Sequence, residues 1–327
     1  MTENRYIRQQ LVDKLGAESQ ASLSNAHVLI VGAGGLGSPV SLFLSGAGVG
    51  EITLVDNDVI SLSNLHRQIL FQESDIDQPK VSAAKTRLCE LNSSIKINAI
   101  EERLTIENAA SLVSKATVVV DAADNFLVSY LLSDLCLEKR IPLVSASVLT
   151  THGYLGVYCG TKDKPAPSLR AVFPAPSSNV NNCNTSGVTG PSVGIIGSYQ
   201  AQEVLKVILN SDAQLLGKLM TLDLWDYRQH IIDFSQSPEP EVTAPLVSLN
   251  SIADDDLILD VRSNQEHLDT PIKRPAMNIP LNELTERLSE LDHSKTIHCI
   301  CKSGQRALSA AQQLLDHGFE HIRVTSQ

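Results

Sequence analysis

Cys301, Lys302, Gly304 and Arg306 fall within one short run, Cys301-Lys-Ser-Gly-Gln-Arg306. A cysteine at the end of an apolar strand (296–301), followed by a glycine loop and an arginine leading into a helix (307–317), makes a bowl of backbone N–H groups. Those amides, with Lys302, Arg306 and the helix dipole, would stabilise negative charge on the sulfur and hold an anion. Only residues 302–305 separate Cys301 from Arg306, one fewer than a tyrosine-phosphatase-type loop needs to wrap a phosphate. The tighter bowl suits the outer sulfur of a persulfide, so sulfur transfer is expected rather than phosphate hydrolysis. A second thiol, Cys183, lies in the polar run Asn182-Cys-Asn-Thr185, just before a helix predicted at 191–210. It is a candidate nucleophile.

A second constellation could hold a nucleotide. Apolar residues from Val28 run into glycines at 32, 34, 35 and 37, and a helix is predicted over 39–44. Gly32 would make the tight turn, Gly34 would let a phosphate approach the backbone, and Gly37 would let the helix pack close to the strand. Gly35 is expected against the nucleotide. Asp56 ends the next strand (51–56), where a doubly wound sheet places the carboxylate that binds ribose hydroxyls. Asn64, Arg67 and Lys80 then add an amide and two cations, Lys80 at the opening of a helix after Gln78-Pro79. A glycine turn alone can largely handle two phosphates, so extra cations point to ATP. Asp124 and Asn125 follow the apolar strand 118–121. Asp124 would hold Mg²⁺ on the phosphates, and Asn125 would touch the nucleotide.

Strands and helices alternate around these residues, so we expect an α/β protein. A Rossmann-like, mostly parallel doubly wound sheet would be extended by antiparallel additions at 153–158 and a hairpin at 217–234. Residues 1–26 read as a helical arm carrying Arg5 and Arg8, and 161–187 as a long polar loop. A proline-rich acidic linker at 236–245 separates a first domain (1–235) from a small α/β unit (246–327). Within that unit, strand 257–262, helix 282–291, strand 296–301 and helix 307–317 are expected. With 26 Lys and Arg against 37 Asp and Glu, the formal charge of −11 argues against nucleic acid as a partner. The six cysteines include no C-x-x-C pair, as expected in a reducing cytoplasm. No apolar run is long enough to span a membrane, and no signal peptide is read at the start.

On RYIRQ at 5–9, GAGGLG at 32–37, SNLHRQ at 63–68, QPK at 78–80, ADN at 123–125 and NCNTSGVTGP at 182–191, the first domain resembles the ThiF/MoeB/HesA family of ubiquitin-activating-type adenylyltransferases. On LDVRS at 259–263, NIPLNEL at 278–284 and CKSGQR at 301–306, the second is similar to a rhodanese domain, shortened at both ends. The resemblance implies that ATP adenylates the C-terminal glycine of a ubiquitin-like sulfur carrier ending in Gly-Gly, and that sulfur then displaces AMP to leave a thiocarboxylate. Gly35, Asp56, Ser63, Asn64, Arg67, Lys80, Asp124 and Asn125 would hold Mg-ATP. Arg8 would reach the phosphates of a neighbouring subunit, which implies a homodimer. Cys183 matches a cysteine that in thiamine-pathway members forms an acyl disulfide with the carrier. Cys301 would pass on sulfur from a persulfide donor such as a cysteine desulfurase.

The family commonly holds structural zinc between two C-x-x-C pairs. They would fall near 165–169 and 240–243, where this chain has no cysteine, so no zinc is expected. The carrier would serve thiazole or molybdopterin synthesis, and ILFQESDIDQPK and NCNTSGVTGP are closer to thiamine-pathway members. A tRNA-modifying dehydratase of the same superfamily, a nicotinamide oxidoreductase and a non-catalytic ATP-binding scaffold are the competing readings.

Overall fold

The computed structural model describes residues 4–174 and 187–326. The chain divides into two compact units. Of the described residues, the first takes those up to Asp124, 132–169 and 187–237, and the second takes 125–131, 170–174 and 238–326.

The first unit is built on apolar strands flanked by helices. β1 (His27–Val31), β2 (Glu51–Val55), β3 (Lys96–Ile100), β4 (Val118–Asp121) and β5 (Leu143–Leu149) run parallel. β6 (His152–Tyr158), β7 (Lys218–Asp223) and β8 (Arg228–Asp233) continue the sheet antiparallel, in the order β3-β2-β1-β4-β5-β6-β7-β8. Strands covered on both faces have no polar side to present, and Val28, Leu29, Ile30, Val118, Val119 and Val120 are all fully buried. Truncating Leu29 to alanine would cost about 2–5 kcal/mol. The strand order reverses between β1 and β4, so a crevice opens there at the carboxyl edge of the sheet. Both of the ligand-type turns, after β1 and after β4, end at that edge.

Helices in chain order are α1 (Ile7–Gln10), α2 (Gly16–Asn25), α3 (Gly37–Ala47), α4 (Lys80–Leu91), α5 (Ile106–Val113), α6 (Phe126–Lys139), α7 (Leu169–Val172) and α8 (Gly190–Ile208). The arm at the start is thus two helices. α3 begins on Gly37 itself, two residues earlier than the side-chain pattern suggested. α8 is capped by Thr189, whose Oγ1 accepts from the Ser192 amide at 3.4 Å.

The second unit has a four-stranded parallel sheet. β9 (Leu257–Asp260), β10 (Met277–Asn278), β11 (Ile297–Cys301) and β12 (Ile322–Ser326) lie in the order β10-β9-β11-β12. α9 (Asn264–Asp269) follows β9, and α10 (Gln305–Asp316) buries Ala307, Leu308, Ala310, Ala311 and Leu314. The stretch leading in is tied down at its end. Val324 N donates to Pro245 O and Val247 N donates to Val324 O, both at 2.9 Å.

One expected element differs. Residues 282–291 form two short 3₁₀ turns, Leu284–Glu286 and Leu288–Glu290, instead of an α-helix. Neither turn has a side-chain cap, and only Leu284 is buried within them, so too little holds a continuous helix in place.

Candidate functional site

The turn after β1 uses its glycines in different ways. Gly32 has φ +98°, and a Cβ there would stand 2.5 Å from the Ala122 carbonyl oxygen at the end of β4. A Cβ on Gly37 would overlap the Gly32 carbonyl oxygen, which is the close strand–helix approach expected of it. Gly34 has open space on its α-carbon, with only Gln68 Nε2 nearby at 3.6 Å. Gly35 packs against α8, since a Cβ would meet Val193 Cγ1 at 2.7 Å. Leu36, the N-cap of α3, supplies no side-chain cap, and in the first turn the Ser38 amide donates to Gly34 O at 3.0 Å.

Asp56 secures this turn. Its Oδ2 accepts from the Ala33 amide at 2.7 Å and its Oδ1 from the Asp58 amide at 2.8 Å. Asp58 in turn holds Lys80, whose Nζ donates to Asp58 Oδ2 at 2.7 Å while its backbone amide donates to Asp58 O at 2.9 Å. The Lys80 side chain is only 6% exposed and Asp58 is 62% exposed. A buried ammonium needs a partner, and Asp58 is that partner. Glycine turn, Asp56, Asp58 and Lys80 therefore form one hydrogen-bonded path.

The loop between β2 and α4 supplies the other predicted groups. Asn64 Oδ1 accepts from the Ser61 amide at 3.2 Å, and Ser63 Oγ lies 3.0 Å from Ser61 Oγ. Arg67 Nη1 donates to Ser63 O at 2.9 Å and lies 2.8 Å from His66 Nε2. A Cβ on Gly190 would overlap the His66 carbonyl oxygen, so the loop rests on the start of α8.

Asp124 is exposed at the end of β4, with no hydrogen bond to its carboxylate among the described residues. Asn125 caps α6, its Oδ1 accepting from the Val128 amide at 3.1 Å. Arg8 is not brought to this turn. Gln9 Nε2 donates to Ala47 O at 3.1 Å, which pins α1 to the far end of α3, about 15 Å from the glycines. Cys183 lies outside the described residues.

Two residues here escaped the sequence reading. Asp58 looked like one more loop acid. Gln68 is 4% exposed beside Gly34, and its Oε1 has no hydrogen-bond partner. An orphaned buried carbonyl at the edge of an open turn is a signal that only the folded chain shows.

In the second unit, Cys301 is fully buried at the end of β11. Its Sγ accepts from the Gly304 amide at 3.1 Å and the Ala307 amide at 3.4 Å, so the bowl forms as its spacing implied. Gly304 adopts φ +81° to turn the loop into α10. Lys302 is exposed. Arg306 is engaged by a carboxylate: Nη1 and Nη2 reach Glu266 at 2.6 and 2.7 Å. That guanidinium holds the Glu266 carboxyl far below the usual range, and Glu266 raises Arg306 in return. Behind them, Asp260 is fully buried and shared by Arg262 Nη2 and His267 Nδ1, each at 2.7 Å. Cys299, two residues before Cys301 in β11, has its thiol pushed up by burial.

Comparisons with known proteins agree with this geometry. The ThiF family model matches residues 6–244, and that of the rhodanese-like domain matches 246–327. The chain is 44% identical over 221 residues to the adenylyltransferase and sulfurtransferase MOCS3 of Culex quinquefasciatus, covering 67% of this chain and 50% of that protein. The chain thus spans about half the length of that relative. It is 33% identical over 368 residues to the adenylyltransferase and sulfurtransferase MOCS3-1 of Zea mays, covering 96% of this chain and 78% of that one. Among solved structures, E. coli MccB with ATP superposes with a TM-score of 0.63 at 26% identity, over 74% of this chain and 75% of that one.

Proposed function

Because the chain belongs to the ThiF family and carries a rhodanese-like domain after it, we propose that it adenylates the C-terminal glycine of a ubiquitin-like sulfur carrier and supplies the sulfur that replaces AMP. The observation that carries this reading is one polypeptide holding both a glycine turn wired to Asp56, Asp58 and Lys80 and a cysteine whose sulfur accepts two loop amides.

ATP is the first substrate. The glycine turn and the N-terminus of α3 receive its phosphates, Asp56 has lone pairs left for ribose hydroxyls, and Arg67 and Lys80 face the phosphate charge. Asp124, an unpartnered carboxylate at the sheet edge, fits a hard divalent cation and would hold Mg²⁺, which supplies charge neutralisation on the phosphates. A carrier carboxylate oxygen attacks the α-phosphorus and pyrophosphate leaves. The step asks for alignment and neutralised charge more than for a general base. The outer sulfur of a Cys301 persulfide, loaded by a donor such as a cysteine desulfurase, then attacks the acyl carbon and AMP leaves. A second thiol, for which Cys183 is the candidate, attacks the resulting acyl disulfide, leaving a thiocarboxylate on the carrier and a disulfide on the enzyme. Arg8 acts from the neighbouring subunit of a homodimer.

ATP–pyrophosphate exchange, measured with purified carriers ending in Gly-Gly from the thiazole and molybdopterin pathways, tests the first half. Exchange is expected to depend on one of the two carriers, and Asp124→Ala should lower it about a hundredfold. Full activity in Asp124→Ala would refute the assignment. Cys301→Ser should leave exchange intact and abolish thiocarboxylate formation from thiosulfate.

A further inference from the structure

The zinc that the family resemblance implies would staple the segment near 165–169 to the segment near 240–243. The residues there do not fit a zinc ion. Those positions hold Pro165, Ala166, Pro167, Ser168 and Leu169, then Pro240, Glu241, Val242 and Thr243, with no thiol or imidazole among them. Among the described residues, no three His, Cys, Asp or Glu side chains are grouped closely enough to bind any metal. The nearby Cys159 is fully buried, and its Sγ points to the Ser133 carbonyl at 3.4 Å.

Both segments are nevertheless held. The base of the first is a small ladder: Cys159 N donates to Pro167 O at 3.0 Å and Ala166 N donates to Cys159 O at 3.1 Å. Leu169 N donates to the buried Ser133 Oγ at 2.9 Å. One residue on, the Arg170 guanidinium carbon lies 4.3 Å from the centre of the Tyr130 ring. Arg170 is 6% exposed and Tyr130 is fully buried. Tyr130 OH donates to Phe173 O at 2.7 Å, so one side chain grips the segment at two points three residues apart. Thr243 and Ala244 line the same void as Tyr130, Arg170 and Pro174. That void is only about 10 Å³, at the lower limit for one water, so Arg170 and Pro174 lie close to Thr243 and Ala244 around the tyrosine.

We propose that this buried Tyr130–Arg170 pair is a metal-free clamp that does here what a four-cysteine zinc site would do. A cation stacked on an aromatic face away from water gains more than the same pair in solvent, because neither partner has competing hydration. Phenol and guanidinium also resist oxidation and do not accept sulfane sulfur, whereas zinc-bound thiolates are nucleophiles that are oxidised and that accept sulfane sulfur. In a chain that carries a persulfide on Cys301, a clamp without thiolates leaves no competing acceptor at this position.

The full-length protein is the material for the test. Elemental analysis of protein grown with added zinc should find far less than one zinc per chain, and a strong chelator should leave Tm unchanged. Arg170→Met should raise the rate of tryptic cleavage after Lys162 about five- to tenfold under native conditions, because that cleavage samples local opening of this segment. Tyr130→Phe keeps the stacked ring and loses the Phe173 bond, so it should give a smaller rise. If the Arg170 variant does not fold, Tyr130→Phe still carries the comparison. Stoichiometric zinc, a Tm lowered by chelator, or unchanged cleavage in the folded variants would overturn the clamp. None of these readouts depends on adenylation.

Discussion

Gln68 is one of four described residues with a buried side-chain oxygen that has no hydrogen-bond partner. Its Nε2 lies beside the open face of Gly34 while its Oε1 is buried without a partner among the described residues, which costs about 1–3 kcal/mol. Gln68→Leu should therefore raise the Tm of the ligand-free protein by a few degrees and shrink the further rise caused by ATP. A variant that loses Tm and keeps the full ATP shift would show that Gln68 serves packing alone. This residue also marks the boundary of what could be read from sequence. Gly32, Gly37 and Asp56 were legible because each backbone demand admits few residue types: a positive φ, an atom-free contact, a carboxylate at a strand end. Gln68 and Asp58 were not, because a loop amide and a loop acid acquire meaning only from what folds against them. Asp58 becomes specific when Lys80, far along the chain, buries its amine on it. Arg306 was legible as a position in the loop, but its pairing with Glu266 depended on where α9 comes to rest.

At the scale of elements, β11 carries both the thiol loop and a buried ionisable group. His298 is fully buried, with Nε2 2.9 Å from Asp256 Oδ2 and Nδ1 3.4 Å from Thr325 Oγ1, and with Arg274 and Arg323 as further charges nearby. Burial is the largest influence and pushes its pKa below the usual histidine value, against the pull of Asp256. The sign follows from proton counting. Below about pH 6.5 the unfolded chain binds a proton that the folded one does not, so stability is full above that pH and falls as acid is added. His298→Gln should flatten the stability of the protein between about pH 5 and 6.5, as followed by denaturant titration. An unchanged slope would assign the acid sensitivity elsewhere. The strands of this unit were readable from their apolar runs. Residues 282–291 were not, because leucines at 284, 288 and 291 have helical spacing whether or not a helix forms. The absence of caps decided the outcome.

At the scale of the whole molecule, α1 is held at the wrong end of α3 for Arg8 to serve its own glycine turn. On the proposed reading a second copy brings that cation to the phosphates, so the two sites of a dimer should each need both chains. Arg8→Ala and Asp124→Ala, each inactive alone, should together recover about a quarter of the exchange activity after mixing and re-equilibration, because half of the dimers are mixed and each mixed dimer has one complete site. No recovery, with dimers present by light scattering, would place Arg8 outside the reaction.

The link between the two parts has its own consequence. Phe234 closes the end of β8 on Gly217, and Pro245 is bonded to β12, so the stretch 235–244 leads along one polypeptide from the sheet of the glycine turn to the sheet that bears Cys301. A tether of that length sets a local concentration on the order of millimolar, whatever the protein's concentration in the cell. Under the proposed function, sulfur handover becomes a first-order event, indifferent to dilution. A scarce enzyme with that function would keep a reactive sulfur within one molecule at every expression level.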